Sequence, residues 1–402
     1  MAATAVLQDY GRIFAQAADG MQPQGGTFGS SLIKKVRKER QERRRQPDLS
    51  VYVRPPAVPA DPDAITVDTV LVAADIMVMD KNDRPIHGLS RSAFRVFEDG
   101  VAQEVALFAI GSESSHVPRS IVLVLDHSSS QLPYIQNSLE AAKVLIDKLN
   151  PNDRLAIVTD DVEILSGFTS DKTQLKSVLD KLAADTFAGK LGLSKQCSAL
   201  LAVLNEMFRG DEMRPIVIFQ TDGDEFPKQA LERSPVSISA KEIRAAAERS
   251  GVTVYTVIPG PGMSRLSGDD RSEQAILEIE RAEQLYMSIK DVKKVTKGKP
   301  NKDHKRRYAN LWADARSRDE EAISEIANST GGLSQYLETP ERANDVYNNI
   351  FNNLAERYLI GYYPTNANRD GKLRKLSIEI QGRTDYKIVG RKTYTPPNDG
   401  SQ

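Results

Sequence analysis

The stretch S-I-V-L-V-L-D-H-S-S-S, residues 120–130, decides the fold. Its first half is a continuous apolar, β-branched-rich run, the pattern of a strand buried on both faces, as in parallel sheets covered by helices. The run stops at Asp126, and Ser128, Ser129 and Ser130 follow almost at once. Asp and Ser are common turn and cap residues. Open α/β sheets, however, bind ligands beyond the carboxyl ends of their strands. The rest of the chain chooses between these readings.

Outward from residue 126, strands and helices alternate. The helical pattern Y-I-Q-N-S-L-E-A-A-K-V-L-I-D-K-L is followed by the strands D-R-L-A-I-V-T-D and V-E-I-L-S-G-F. Helical patterns beginning near residues 171 and 196 then lead to the strand R-P-I-V-I-F-Q-T-D-G. A helix over 239–250 feeds V-T-V-Y-T-V-I-P-G, and after residue 318 the alternation resumes up to about 357. This rhythm predicts a doubly wound α/β fold with a mostly parallel sheet. Residues 262–318 interrupt it as a charged insertion with a helical first half and a basic centre, K-K-V-T-K-G-K-P-N-K-D-H-K-R-R.

The flanks read as β structure. T-V-D-T-V-L-V-A-A-D-I-M-V-M-D is followed by F-R-V-F-E-D-G-V-A-Q-E-V-A-L-F, a hairpin whose Asp99-Gly100 pair supplies positive-φ turn chemistry. At the other end, Y-L-I-G-Y-Y-P, R-K-L-S-I-E-I-Q-G and Y-K-I-V-G-R-K-T-Y alternate in period two. Units of so few strands are marginal alone. The expectation is therefore one β-sandwich formed by N- and C-terminal strands together. The expected organisation is a tail and linker over 1–62, a sandwich part over 63–115, the α/β domain over 118–357, and a second sandwich part over 358–396.

Composition narrows the function classes. The 402 residues carry a formal net charge of −1, which argues against a whole-protein preference for nucleic acid or anionic membrane. The basic run 34–45 reads as a solvated helix or disordered arm, with a contact for an acidic partner or membrane surface as the sharper alternative. The single cysteine, Cys197, excludes an intrachain disulfide and cysteine-based zinc sites. No apolar run reaches the roughly 18–20 residues needed to span a bilayer, and the first twenty residues lack the charged and apolar regions of a secretory signal.

A second acidic strand end carries the chemistry. P-I-V-I-F-Q runs into T-D-G-D-E, so Asp222 terminates an apolar strand as Asp126 does. Were these strands parallel neighbours, both carboxylates would face one crevice, with Ser128 and Ser130 on a loop beside them. Carboxylates and hydroxyls are hard oxygen donors, suited to Mg²⁺, Mn²⁺ or Ca²⁺ rather than zinc or copper.

D-H-S-S-S at 126–130 resembles the Asp-x-Ser-x-Ser motif of von Willebrand factor type A domains, and T-D-G at 221–223 resembles that family's second acidic motif. C-S-A-L-L-A-V-L stands where the family places a helix-initial threonine, with Ser198 in that position; Thr186 fits the place less well. The resemblance implies a metal-ion-dependent adhesion site. In it Ser128, Ser130 and Ser198 bind a divalent cation through their hydroxyls, and Asp126 and Asp222 act partly through water. One coordination position is left for an acidic side chain of a protein partner. The flanking β segments are similar to those of a bacterial, acidobacterial-type group related to the same family, which implies export.

Three function classes follow: a metal-dependent protein-binding module, a structural or assembly module with a vestigial metal site, and a metal-assisted hydrolase using Asp126 and Asp222. The enzyme reading has the least support. His127 shows no orienting acid in the sequence, and no G-x-S-x-G nucleophile elbow or Gly-rich phosphate loop is present. Asp222 and Asp224 form a D-x-D without the phosphate-binding lysine that would accompany phosphoryl transfer. Cys197 reads as a buried helix residue, and Asp160-Asp161 as a hairpin turn rather than a second metal site.

Overall fold

The computed structural model describes residues 71–82, 84–110, 118–192, 195–208, 214–223, 240–290, 302–368 and 370–396. The N-terminal basic run, Asp224 and most of the basic centre of the expected insertion lie outside them.

Four strands precede the α/β region: β1 (Val72–Met79), β2 (Phe94–Glu98), β3 (Val101–Gln103) and β4 (Val105–Ala109). The β2–β3 hairpin turns at Asp99 and Gly100, with φ of 47° and 84°, as the Asp-Gly pair predicts. The α/β region comprises β5 (Arg119–Leu125), α1 (Ile135–Asp147), β6 (Arg154–Thr159), β7 (Ile164–Thr169), α2 (Lys172–Phe187) and α3 (Gln196–Glu206). It continues with β8 (Arg214–Gln220), α4 (Ala240–Ser250), β9 (Thr253–Pro259), α5 (Gly268–Lys290), α6 (Lys302–Ser329), β10 (Ser334–Leu337) and α7 (Ala343–Ala355). Strands β11 (Tyr358–Tyr362), β12 (Arg374–Ile380), β13 (Lys387–Val389) and β14 (Thr393–Tyr394) follow.

A six-stranded sheet in the order β10-β9-β8-β5-β6-β7 forms the centre. All its pairings are parallel except β6–β7. Side chains alternate between its faces, as the pleat requires. Val122, Val124, Val217 and Phe219 pack on one face with α3, while Ile121, Leu123, Leu125, Ile216 and Ile218 pack on the other with α1, α2 and α7. The continuous apolar runs read in the sequence are thus two interleaved core stripes. This is the doubly wound α/β fold expected from the alternation.

The β-sandwich also forms, and it interleaves the two ends of the chain. One four-stranded antiparallel sheet has the order β13-β1-β11-β4, the other β14-β12-β2-β3. Their shared core includes Val72, Ala74, Ile76 and Val78 at alternate positions of β1, with Phe94, Tyr358, Ile360 and Leu376. Asp75 on the other face of β1 joins the α/β region: its carboxylate lies 2.5 Å from Nε of Arg214 and 3.5 Å from Nε of the fully buried Arg357.

One element departs from expectation. Helix α6 runs unbroken through residue 318, where periodicity placed the end of the insertion. The helix read at 320–329 is the C-terminal part of this long helix, which ends at Gly331 (φ 83°) and Gly332. Its N-terminal part packs on α5 as a helical hairpin around Ala275, Ile279, Ala309 and Ala313. The charge density of 302–318 hid this helix, whose packed apolar stripe there is narrow: Ala309 and Ala313 beside the partly buried Tyr308 and Trp312.

Candidate functional site

Strand order creates the site. The chain leaves β5 toward β6 on one side and later returns to β8 on the other, so β5 and β8 flank the topological switch point. Leu125 pairs with Gln220, which sets Asp126 and Asp222 at adjacent strand ends. Backbone hydrogen bonds continue past the strands: Asp126 N–H donates to Gln220 O (3.0 Å), Thr221 N–H to Val257 O (3.1 Å), and Asp160 N–H to Leu125 O (3.0 Å).

Asp126 organises the loop that follows it. One carboxylate oxygen accepts from Ser128 N–H (3.0 Å), the other from the Thr221 hydroxyl (2.8 Å). That hydroxyl in turn accepts from Gly223 N–H (3.0 Å). The hydroxyls of Ser128 and Ser130 lie 3.1 Å apart. Ser198 sits in the first turn of α3, and the bridge between Ser128 and Gly192 draws the approach to that helix onto the loop. Thr186, the less fitting threonine, is buried within α2 and donates to Leu182 O (2.8 Å). Cys197 is fully buried.

Asp222 has a partner that the strand-end motifs did not suggest. Its Oδ2 lies 2.5 Å from Nη1 of Arg316 on α6, in a buried ion pair. Every edge of that guanidinium is engaged, since Nε reaches Glu320 (3.2 Å) and Nη2 donates to Pro259 O (2.9 Å). Glu320 also accepts from the backbone of Met263 (3.1 Å) and Ser264 (2.9 Å). On the other side of the loop, the Tyr134 hydroxyl donates to Glu278 of α5. Burial raises the Glu278 carboxyl above its ordinary range, against the nearby Arg281 and Arg316 charges.

His127 requires a correction. It does have an acid beside it: Nδ1 lies 2.5 Å from Asp160, whose Oδ1 also accepts from the His127 backbone N–H at 3.2 Å. Burial opposes the imidazolium, but Asp160, with Asp161 and Glu163, outweighs it and raises the His127 pKa. The β6–β7 turn was read correctly as a hairpin, yet its first acid points inward. Nε2 lies 4.0 Å from Asp161, so each ring nitrogen of His127 has a carboxylate near it, while the Ser128 hydroxyl lies against that of Ser130.

The donor chemistry fits a hard divalent cation: Asp126, Ser128 and Ser130 are brought together at one sheet end, with Asp222 at the adjacent strand end. The departure from a simple cradle is the guanidinium on Asp222. Among the described residues, no group of three or more His, Cys, Asp or Glu side chains is arranged to hold a metal.

Residues 121–225 match the von Willebrand factor type A domain family, spanning both acidic motifs and Ser198. The chain carries a von Willebrand factor type A domain. Among solved structures, it is similar to proximal thread matrix protein 1 from the mussel byssus at 13% identity, over 64% of this chain and 51% of that one, with a TM-score of 0.37. It is also similar to an aerotolerance-related membrane protein from Bacteroides fragilis at 15% identity, over 59% and 98% of the two chains, with a TM-score of 0.35. A von Willebrand factor type A protein from Catenulispora acidiphila is similar at 10% identity, over 82% and 74%, with a TM-score of 0.36. The chain thus spans about half the length of the mussel protein. A comparison with curated protein sequences gives no match. No helix among the described residues is long and apolar enough to cross a membrane.

Proposed function

We propose that this protein is a metal-dependent interaction module rather than an enzyme. It would bind a protein partner through a carboxylate presented to a divalent cation, Mg²⁺, Mn²⁺ or Ca²⁺. Ser128, Ser130 and Ser198 would hold the cation, with Asp126 and Asp222 supplying the negative charge. The observation that carries this reading is the Ser128–Ser130 hydroxyl pair (3.1 Å) beside Asp126 at the switch point. When bound, the cation supplies positive charge for a partner's acidic side chain. The chain's own part is to hold the loop: Thr221 and the Ser128 amide fix both oxygens of Asp126.

A second reading is favoured by one observation, the Asp222–Arg316 ion pair. A positive charge already seated on Asp222 is what a structural module with a vestigial metal site would have. Calorimetric titration of the full chain with Mn²⁺ separates the two. The first reading expects saturable binding that Asp126→Ala abolishes. Binding unchanged in Asp126→Ala, or no binding at millimolar Mn²⁺ in wild type and Arg316→Gln alike, would sink it.

A further inference from the structure

The α5–α6 hairpin touches the candidate site at three separate points. Arg316 pairs with Asp222, Glu278 accepts from Tyr134, and the backbone of Asp319 with the side chain of Ile323 closes over Gly223, where an added Cβ would stand 3.2 Å from each. Beneath these contacts Asp126 is 2%, Ser128 1% and Asp222 0% exposed, while Ser130 at the rim is partly exposed. A site that offers a coordination position to a partner must be open to solvent, and here both acids lie buried beneath the chain itself. The cover carries a cation of its own, placed on one of the two acids that a metal would use.

We infer that Arg316 is a built-in competitor for the metal: it and a divalent cation contend for Asp222, so the α5–α6 hairpin holds the site in a closed, low-affinity state. This rests on the metal-binding reading above. Like charges so close in a poorly solvated pocket repel strongly, so the guanidinium and a dication would not share Asp222 without displacement. Metal binding would then require Arg316 to withdraw, and α6 with it, because Glu320, one turn along, ties the same arginine to the Met263–Ser264 backbone. A partner that grips the hairpin would open the site, and metal would favour the open form by the same linkage.

The test is Mn²⁺ titration of the full-length wild type, Arg316→Gln, Arg316→Lys and the double variant Asp126→Ala/Arg316→Gln, each checked by thermal melting. Arg316→Gln should bind Mn²⁺ roughly tenfold or more tightly than wild type. Arg316→Lys, which keeps the charge, should stay near wild type, and the double variant should lose the gain. Equal Mn²⁺ affinity in wild type and Arg316→Gln overturns the competition while leaving the metal site standing. Absence of binding in both overturns the metal reading and the competition with it. Hydrogen exchange on the wild type gives a readout that needs no variant. Saturating Mn²⁺ should raise exchange across residues 302–329, and unchanged or slower exchange there overturns the proposal.

Discussion

Nη1 of Arg316 lies 2.5 Å from Oδ2 of Asp222, joining the middle of a 28-residue helix to the carboxyl end of a central strand. Both side chains are buried, so each is the other's compensation for leaving water. Removing one partner strands a charge in the interior, which typically costs about 3–5 kcal/mol. Glu320 remains beside Arg316 and softens the loss. Asp222→Ala should therefore lower unfolding stability by about 3 kcal/mol in urea denaturation. A change under about 1 kcal/mol would show that the pair contributes little to the fold.

Gly192 lies where its missing side chain makes room for Asp160. A Cβ there would collide with the carboxylate of Asp160, which is itself fully buried and engaged with His127. Gly192→Ala must push Asp160 off His127 or shift the loop that pairs with Ser128. Overpacking of this kind costs about 1–3 kcal/mol. The expected outcome is a lower melting temperature with a displaced His127 imidazole resonance. An unmoved His127 resonance would contradict the contact.

Glu278 gives a pH dependence whose direction is set. Burial raises its folded pKa above the ordinary value of 4.5, so the folded state holds the proton more tightly than the unfolded chain. Stability from this group therefore declines as pH rises from the unfolded pKa through the folded one. Glu278→Gln removes the titration. Its stability should change less with pH than wild type between about pH 4 and 7, the two curves diverging as pH rises. Parallel curves across that range would refute the assignment.

Arg357 links the sandwich to the α/β region. Its guanidinium donates to Gly331 O (2.5 Å), Asn353 Oδ1 (3.1 Å) and Asp75 O (3.0 Å), and it has no exposure to solvent. Arg357→Met keeps much of the volume but leaves these acceptors and the Asp75 carboxylate short of a donor. The loss should be about 2–4 kcal/mol, measured by chemical denaturation. Wild-type stability in this variant would mean that water replaces the guanidinium without cost.

The β5 and β8 runs were legible because a strand covered on both faces has no polar positions to interrupt it. The same continuity made Asp126 and Asp222 conspicuous as its ends. The Asp99-Gly100 turn was legible for a local reason too, since only a few residue types adopt positive φ there without strain. Helix α6 was not legible over 302–318. Its buried positions there include alanines and an arginine, which carry little hydrophobic signal. Asp160 was read as a turn acid, and turn geometry alone does not say which way a side chain faces.

From its own sequence this protein's strands, its switch-point acids and the two loop serines could be placed, because each is encoded by neighbours a few residues away. What covers those acids was decided only by the tertiary fold. Arg316 reaches Asp222 across 94 residues and Asp160 reaches His127 across 33. A buried charge takes whichever partner the packing of distant elements delivers, and no local pattern records that choice.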